Sequence, residues 1–244
     1  MIEAKNLNIE FPINTFKNFS LRKSLIQNVT RSLKVGGKIS KLERKNLSVT
    51  ALSELNFKIK EGDRVGIYGP NGSGKSTLLK TIAGVYPPTG GEILVTGKIN
   101  NLLNIGFGFN SEASGRENAK FRLILAEYDD KEINDILERI KDFSGLDDYF
   151  DLPIKTYSSG MMFRLGFAII SQINGDIVLM DEWLSAGDSA FLEKVNNKLK
   201  DILKTTKILI LASHSKELIK SNCNKILQLQ NGKIDYYGDI KNDF

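Results

Sequence analysis

The chain has 244 residues, of which 41% are hydrophobic and 26% charged, and these proportions exclude a disordered, collagenous or disulfide-scaffold protein. Its single cysteine, Cys223, excludes an internal disulfide, and no charged N-terminal stretch leads into an apolar signal core, so we expect a reducing cytoplasm. The longest apolar runs fall far short of the roughly 18 residues needed to cross a bilayer, which leaves a peripheral role at any membrane.

The net charge of +5 is concentrated in one segment. Residues 17–45 carry nine lysines and arginines against one acid, Glu43, so the rest of the chain is slightly acidic. A basic segment on an acidic body suits anionic lipid headgroups, an acidic protein surface and phosphodiesters equally well. The charge alone therefore selects no partner.

The first third of the chain is predicted to be mainly strands. Alternating apolar residues predict strands over Met1–Phe11 and Leu52–Ile59, and a buried strand follows over Arg64–Tyr68. Within the basic segment, apolar residues at intervals of three and four predict a short helix that ends at Gly36 and Gly37.

The middle of the chain carries helical periodicity. The predicted helices are Thr77–Gly84, Gly115–Tyr128, Lys131–Phe143 and Ser159–Ile173, with a strand over Glu92–Val95 after the first of them. The last three helices predict a helical subdomain over about residues 111–175. This subdomain interrupts an α/β core that we assign to residues 1–110 and 176–244.

The last third returns to strands. Two short aliphatic runs, Ile177–Met180 and Ile208–Ala212, are typical of strands covered on both faces of a parallel sheet. A hairpin is predicted from Lys225–Gln230 and Lys233–Tyr237, joined by a tight turn at Asn231–Gly232. The whole chain, residues 1–244, is predicted to be one α/β domain with a mixed sheet and the inserted helical subdomain.

A phosphate-binding loop is predicted at residues 69–76, which read Gly-Pro-Asn-Gly-Ser-Gly-Lys-Ser between an apolar strand and a helix. In such a loop backbone N–H groups converge on phosphates, and the helix presents its positive end. Lys75 is expected to reach the β and γ phosphates, and the Ser76 hydroxyl to bind Mg²⁺. The predicted nucleotide contacts here are Gly69, Asn71, Gly72, Ser73, Gly74, Lys75, Ser76 and Thr77. The alternative, an unrelated glycine-rich turn, is disfavoured by the strand and helix on either side.

Adjacent carboxylates, Asp181 and Glu182, follow the apolar strand Ile177–Met180, at the strand end where ligands collect in α/β sheets. We expect Asp181 to hold the Mg²⁺ shell and Glu182 to orient the attacking water or accept its proton. Taken alone the pair is more typical of a solvated strand end, and the upstream phosphate loop reverses that preference.

His214 is the single histidine, and it follows the strand Ile208–Ala212 and Ser213. A lone histidine usually carries no function. At a strand end behind Asp181 and Glu182, however, a neutral imidazole is placed to hydrogen-bond the γ phosphate or the attacking water.

These motifs fall in the order and at the spacing of those of the ABC ATPases, which they resemble. Residues 157–161, Tyr-Ser-Ser-Gly-Met, resemble the family's signature, whose commoner form is Leu-Ser-Gly-Gly-Gln. Residues 185–188, Ser-Ala-Gly-Asp, stand where the family's D-loop lies, and His214 stands where its switch histidine lies. The resemblance covers nearly the whole chain. It implies a P-loop ATPase fold that uses ATP and Mg²⁺, with Asp188 among the nucleotide contacts.

The variant signature is similar to one group within that family. With Lys155-Thr156 before it and Arg-Leu-Gly-Phe-Ala after it, it looks like the ATP-binding subunits of bacterial exporters of O-antigen, capsule or teichoic acid. Residues 115–118, Gly-Arg-Glu-Asn, and the basic segment are also similar to that group. Because the chain ends at Phe244, we expect it to lack the extra carbohydrate-binding domain of some members.

The exporter resemblance implies a set of partners. The chain would be a peripheral motor at the cytoplasmic face of the bacterial inner membrane, and an integral-membrane permease would supply the channel for a lipid-linked glycan. A cleft near residues 104–116 would transmit movement to the permease. The basic segment would lie at the membrane face, against lipid headgroups or the diphosphate of the glycan, and no nucleic acid partner is expected.

The signature has a physical role only in a dimer. Ser158, Ser159 and Gly160 precede a helix predicted to run from Met161, so they form an anion site at its N-terminus, which has no phosphate within one chain. The resemblance implies that this site closes over the γ phosphate held by Lys75 of a second copy, with two ATP molecules between two subunits. An ordinary helix cap is the alternative for the serines, and both readings hold together.

Two positions depart from the family pattern. The family's usual Mg²⁺-contacting glutamine is missing, because no glutamine occurs between Gly69 and Gln172, and Asn104 is the predicted replacement. Phe11 is the candidate for the aromatic that stacks on adenine, with Phe16 and Phe19 as alternatives.

Two other functions would suit parts of the sequence. A soluble ABC ATPase of DNA repair or translation would use the basic insert to grip nucleic acid, but the chain has neither a long coiled-coil insertion nor a second cassette. An importer motor on the same fold is disfavoured by the signature variant.

Overall fold

The computed structural model describes residues 1–13, 39–42, 46–103, 108–182 and 189–241, which cluster into two compact units. The first unit comprises Met1–Gly97, Leu179–Glu182 and Lys207–Phe244, and the second comprises Lys98–Val178 and Trp183–Thr206. Several predictions lie outside the described residues: those on Phe16, Phe19, Asn104 and Asp188, and the short helix of the basic segment.

The elements follow the predicted order with shifted ends. The strands are β1 (Ile2–Ile13), β2 (Ile39–Leu42), β3 (Asn46–Ile59), β4 (Arg64–Tyr68), β5 (Gly90–Val95), β6 (Ile99–Asn101), β7 (Ile177–Asp181), β8 (Ile208–Ser213), β9 (Lys225–Gln230) and β10 (Lys233–Asp239). The described helices are α1 (Lys75–Ile82), α2 (Gly115–Leu125), α3 (Asp130–Ser144), α4 (Ser159–Ile170), α5 (Ser189–Thr205) and α6 (Lys216–Asn222). Two short 3₁₀ helices cover Asp147–Asp151 and Ile154–Thr156. None of the helices in the described ranges is both long and apolar enough to cross a membrane.

The first unit contains an antiparallel sheet in the order β2-β3-β1-β5. Its inner face is built by the alternating apolar residues that predicted β1, because Ile2, Ala4, Leu7 and Ile9 are all buried. The register shifts between Ala4 and Leu7, where Asn6 adopts a φ of 48°. This irregularity is a bulge, and beyond it the strand continues to Ile13.

The same unit holds a second sheet in the order β10-β9-β4-β8, followed by the carboxyl-terminal residues of β7. β4 pairs in parallel with both β8 and β9, and every residue of β8 is buried. The predicted covered parallel strand is therefore confirmed, as is the hairpin of β9 and β10. Parallel pairing brings the carboxyl ends of β4 and β8 to one edge of the sheet.

The second unit packs α2, α3 and α4 around an apolar core. α3 contributes Ile133, Ile136, Leu137 and Ile140, the three- and four-residue spacing that predicted it. α2 begins with a capping box between Ser114 and Glu117. The predicted C-terminal ends of α2 and α4 were wrong by three residues, whereas both ends of α3 were right to within one residue. α2 stops at Leu125 because Glu127 adopts a φ of 64°, which a helix does not accept.

Arg116 joins three elements of this unit. Its guanidinium donates to Asp151 at 2.6 Å and to Glu138 at 2.7 Å, and it lies 5.0 Å from the centre of the Phe150 ring. The hydrogen bond from Arg116 holds the pKa of the Asp151 carboxyl below its ordinary value. The arginine therefore links α2 to α3 and to the 3₁₀ helix at Asp147–Asp151.

We expect Arg116→Gln to destabilise the protein by about 1 kcal/mol at pH 7, because a bidentate but partly exposed ion pair is lost. Since the folded-state pKa of Asp151 is lowered, this stabilisation is full above its ordinary value of 3.8 and is lost as the pH falls through the lowered pKa. Urea unfolding at pH 7 and pH 3 measures the difference, with exposed Arg139→Gln as the control. A difference that stayed constant between the two pH values would contradict the assignment.

Candidate functional site

The loop at residues 69–74 connects β4 to α1 and curls around its own lysine. Lys75 Nζ donates to the carbonyl oxygens of Gly69 at 2.8 Å and Pro70 at 3.1 Å. Gly74 caps α1 with a φ of 108°, a conformation that side chains disfavour, and α1 therefore begins at Lys75, two residues before the predicted start. The loop thus presents a cation and a helix N-terminus together, the two features that bind anions.

Ser73 is the buried member of the loop. Within the part of the chain that the structure describes, its Oγ is a fully buried side-chain oxygen with no hydrogen-bond partner. A buried hydroxyl without a partner costs free energy in most settings, and such atoms concentrate at functional sites. The Ser73 hydroxyl therefore fits a loop in which some polar groups find a hydrogen-bond partner only when a ligand is bound.

Ser76 and Asp181 meet, as their predicted roles require. The Ser76 hydroxyl donates to Asp181 Oδ2 at 2.7 Å, which joins the first turn of α1 to the end of β7. Hydroxyl and carboxylate oxygens are ligands that Mg²⁺ binds in proteins. The pair therefore fits a magnesium site beside the phosphate loop.

Glu182 and His214 also meet. Glu182 Oε1 lies 2.7 Å from His214 Nδ1, and both side chains are more than half exposed. Glu182 adopts a φ of 63°, uncommon for a residue other than glycine, and its N–H donates to Ala212 O at 2.7 Å. Such backbone strain is typical of functional sites, and here it turns the carboxylate toward the end of β8.

Ser158, Ser159 and Gly160 form the start of α4 in the second unit. Ser158 is the N-cap, and its Oγ accepts a hydrogen bond from Met161 N at 3.2 Å, so the helix-cap reading holds. The helix begins at Ser159, as its periodicity predicted, so Ser159 and Gly160 form its first turn and do not precede it. A methyl group added at Gly160 would meet, among the described residues, only Ser158 Oγ at 3.8 Å.

Phe11, the candidate for stacking on adenine, lies near the end of β1. Its ring is about one-third exposed and packs edge to face on Tyr86, with the ring centres 5.1 Å apart. The Lys80 ammonium lies 5.7 Å from the centre of the Tyr86 ring. Tyr86 is a second aromatic beside the candidate, and the sequence did not predict it because it follows α1, far from Phe11 in the chain.

At the edge of the sheet in the first unit, the structure assembles a cationic loop, a hydroxyl and carboxylate pair, and a carboxylate and imidazole pair. These groups suit the transfer of a phosphoryl group to water, because a cationic loop can hold phosphate oxygens and a carboxylate can accept a proton from water. The predicted loop, acids and histidine thus lie at one edge, and Phe11 packs on Tyr86 near the end of β1. Those of the signature lie in the second unit, and Asn104 and Asp188 lie outside the described residues.

The chain is similar to known proteins over nearly all of its length. A family model described as ABC transporter matches residues 52–185. The O-antigen export system ATP-binding protein RfbE of Yersinia enterocolitica is 38% identical over 230 residues, which is 94% of each chain. The teichoic acids export ATP-binding protein TagH of Listeria innocua is 38% identical over 238 residues, 98% of this chain and 69% of that protein.

A solved structure supports the fold. The ATP-binding cassette MJ0796, in a dimeric post-hydrolysis state bound to ADP and Pi, matches 99% of both chains with a TM-score of 0.69 at 22% identity. The predicted family and the predicted α/β fold class are both confirmed. The chain belongs to the ABC transporter family, and it is an ATPase subunit of that family.

Proposed function

We propose that this chain is the ATP-hydrolysing subunit of a bacterial exporter that moves a lipid-linked polysaccharide across the inner membrane. The substrate class is O-antigen, capsular polysaccharide or teichoic acid. The observation that carries the proposal is the 38% identity, over 94% of both chains, to a protein named for O-antigen export. The subunit works at the cytoplasmic face with an integral-membrane permease, and the basic segment 17–45 acts at the membrane face.

ATP binds in the first unit. Lys75 leaves its two carbonyl partners for the β and γ phosphates, and the backbone N–H groups from Gly69 to Thr77 surround the phosphates. Phe11 stacks on adenine. When Mg²⁺ is bound, it neutralises charge on the phosphates. Ser76 and Asp181 hold that ion, and Asn104 is proposed as a further ligand.

Glu182 and His214 act on the attacking water. With Nδ1 beside a carboxylate, a neutral His214 carries its proton on Nδ1 and presents the lone pair of Nε2. A neutral ring in this geometry accepts a hydrogen bond from water, and only a protonated ring donates to a phosphate. Of the two predicted roles, the observed contact therefore favours the one toward water, with Glu182 as the base.

Two copies complete two sites. The exposed Ser158 and Ser159, with Gly160 and Asp188, meet the γ phosphate that the partner copy holds on its Lys75 loop. ATP binding thus draws two copies together, and hydrolysis releases them. The closing and opening of the two copies is transmitted to the permease through the segment near residues 104–116.

We expect Lys75→Ala to weaken ATP binding by about 30-fold, because hydrogen bonds from a charged donor are lost. Titration with a fluorescent ATP analogue measures the affinity. Lys60→Ala is the control, since Lys60 is exposed on the turn after β3. Unchanged affinity in Lys75→Ala would contradict the nucleotide site.

Export is tested in cells that carry the Lys75→Ala chain as their single copy. We expect the surface polysaccharide to disappear and the lipid-linked glycan to accumulate inside, while Lys60→Ala cells stay normal. Copurification with a polytopic membrane protein is expected as well. Normal surface polysaccharide, or copurification with DNA or ribosomes instead, would contradict the exporter and favour the nucleic-acid alternative.

A further inference from the structure

The turn between β9 and β10 connects to the phosphate loop. Asn231 and Gly232 adopt φ values of 49° and 75°, the left-handed pair that a two-residue hairpin turn of type I′ requires. The Gly232 N–H donates to the Ser73 carbonyl at 3.0 Å, and the Gly232 carbonyl accepts from Ser53 N at 2.8 Å. Both backbone groups of one glycine therefore bind segments far away in the sequence.

The hairpin and β3 also pack closely against the phosphate loop at two of its glycines. A methyl group added at Gly69 would overlap the carbonyl oxygen of Leu229 in β9. One added at Gly74 would lie 2.7 Å from Leu52 Cδ2 and 3.0 Å from Ala51 O in β3. The loop therefore has close main-chain neighbours in β9 and β3, and a close side chain in Leu52, on that side.

The hairpin is itself fixed to β3. Lys233 pairs with Glu54 at 3.3 Å, and the Tyr237 hydroxyl donates to Lys58 O at 2.7 Å. Together with the hydrogen bond from Ser53 N to Gly232 O, these contacts hold the turn and β10 along β3 at three points. The turn is therefore a firm support for the loop and not a free end.

The bond to Ser73 fixes one peptide plane. In a planar trans peptide the N–H points opposite to the C=O. Holding the Ser73 carbonyl toward Gly232 therefore directs the Gly74 N–H to the opposite side of the loop, away from the hairpin. Gly74 is one of the residues whose amide is proposed to bind phosphate.

We propose that the Asn231–Gly232 turn is a positioning element for the phosphate loop, and that Gly232 sets ATP affinity through the peptide between Ser73 and Gly74. The inference rests on the proposed role of the loop in ATP binding. Gly232 is not among the residues proposed to contact the nucleotide. It holds the Gly74 amide in its binding orientation before ATP binds, so that ordering this amide does not reduce the affinity.

Gly232→Ala tests the proposal against a matched glycine. The added methyl group would lie 2.5 Å from Ala51 O, so the turn must move away from β3 and from Ser73. Gly84 has the same φ of 75°, and an added methyl there meets no described atom within 4 Å. Gly84→Ala therefore carries the same backbone strain without the collision.

We expect Gly232→Ala to raise the Kd and the KM for ATP about tenfold and to leave kcat within about twofold, as loss of one oriented hydrogen bond predicts. Gly84→Ala should keep wild-type values. A merely structural role would lower the folded fraction, and with it kcat, without raising KM. Wild-type affinity in Gly232→Ala, or an equal loss in Gly84→Ala, would overturn the inference.

Hydrogen exchange on the unaltered protein gives a second test. We expect MgADP to slow exchange of the Gly232 amide about tenfold, because an occupied loop holds Ser73 in place. The Gly62 amide, which donates to Lys207 O at 2.8 Å in the same unit, is the matched control and should not change. Unchanged exchange at Gly232, or an equal slowing at both amides, would overturn the inference.

The Lys75→Ala titration separates the two levels of proposal. If Lys75→Ala keeps wild-type ATP affinity, the proposed nucleotide site fails and this inference fails with it. If Lys75→Ala loses affinity while Gly232→Ala keeps it, the nucleotide site stands and only the role of the turn is rejected.

Discussion

Glu182→Gln will bind ATP with wild-type affinity and hydrolyse it about a thousandfold more slowly. The substitution keeps the volume of the side chain, and the amide oxygen still accepts the bond from His214 Nδ1 that the carboxylate accepts at 2.7 Å. What it removes is the basic oxygen that takes a proton from water. Binding and chemistry therefore separate in this variant.

Phosphate release at saturating ATP measures the rate, and light scattering measures the mass. Because hydrolysis is proposed to separate the two copies, Glu182→Gln should remain a dimer when ATP is present. Glu61→Gln is the control, since Glu61 is an exposed carboxylate on the turn between β3 and β4. A rate within tenfold of wild type, or a monomer with ATP, would show that Glu182 is not the base.

The part of the site in the first unit was predictable because each signal came with its context. The glycine-rich loop stood between an apolar strand and a helix, and the acids and His214 each followed an aliphatic run. Parallel strands place such ends at one edge, so the pairs Ser76 with Asp181 and Glu182 with His214 follow from topology. The prediction needed no side-chain detail.

Features that depend on contacts distant in sequence were not predictable. Gly232 lies 159 residues after Ser73, and its tight turn gives no sign of what it binds. The left-handed backbone of Glu182 is likewise invisible in a run of apolar residues.

No helix was predicted over α5, although its sequence carries the pattern of one. α5 buries Phe191, Val195, Leu199 and Leu203, a four-residue spacing typical of an amphipathic helix. β6 and α6 are short, three and seven residues, and elements of that length carry little periodicity.

Gly160→Asp will fold at least as stably as the wild type and lose about a thousandfold in ATPase activity. Glycine is a poor helix former, an acid in the first turn interacts favourably with the helix dipole, and α4 has none there. Among the described residues only Ser158 Oγ lies near the added carbon. Nothing described around Gly160 within its own copy therefore requires a glycine.

The expected loss of activity arises from the phosphate that the partner copy is proposed to hold. A carboxylate about 4 Å from a phosphate opposes it by about 4 kcal/mol at an effective dielectric constant of about 20, which corresponds to about a thousandfold. Thermal unfolding and ATPase rates are measured together, with Gly160→Ala as the uncharged control. Wild-type activity in Gly160→Asp, with a higher melting temperature, would show that the signature residues 158–160 do not contribute to the ATPase site.

Mixing two inactive variants decides whether the site spans two copies. Lys75→Ala keeps an intact signature, and Gly160→Asp keeps an intact phosphate loop. In a mixed dimer one of the two sites joins both intact halves, so an equal mixture should recover up to about a quarter of wild-type activity. Each variant alone should stay inactive at every protein concentration. If ATP were hydrolysed within a single copy, neither variant could repair the other, and the mixture would stay as inactive as its parts.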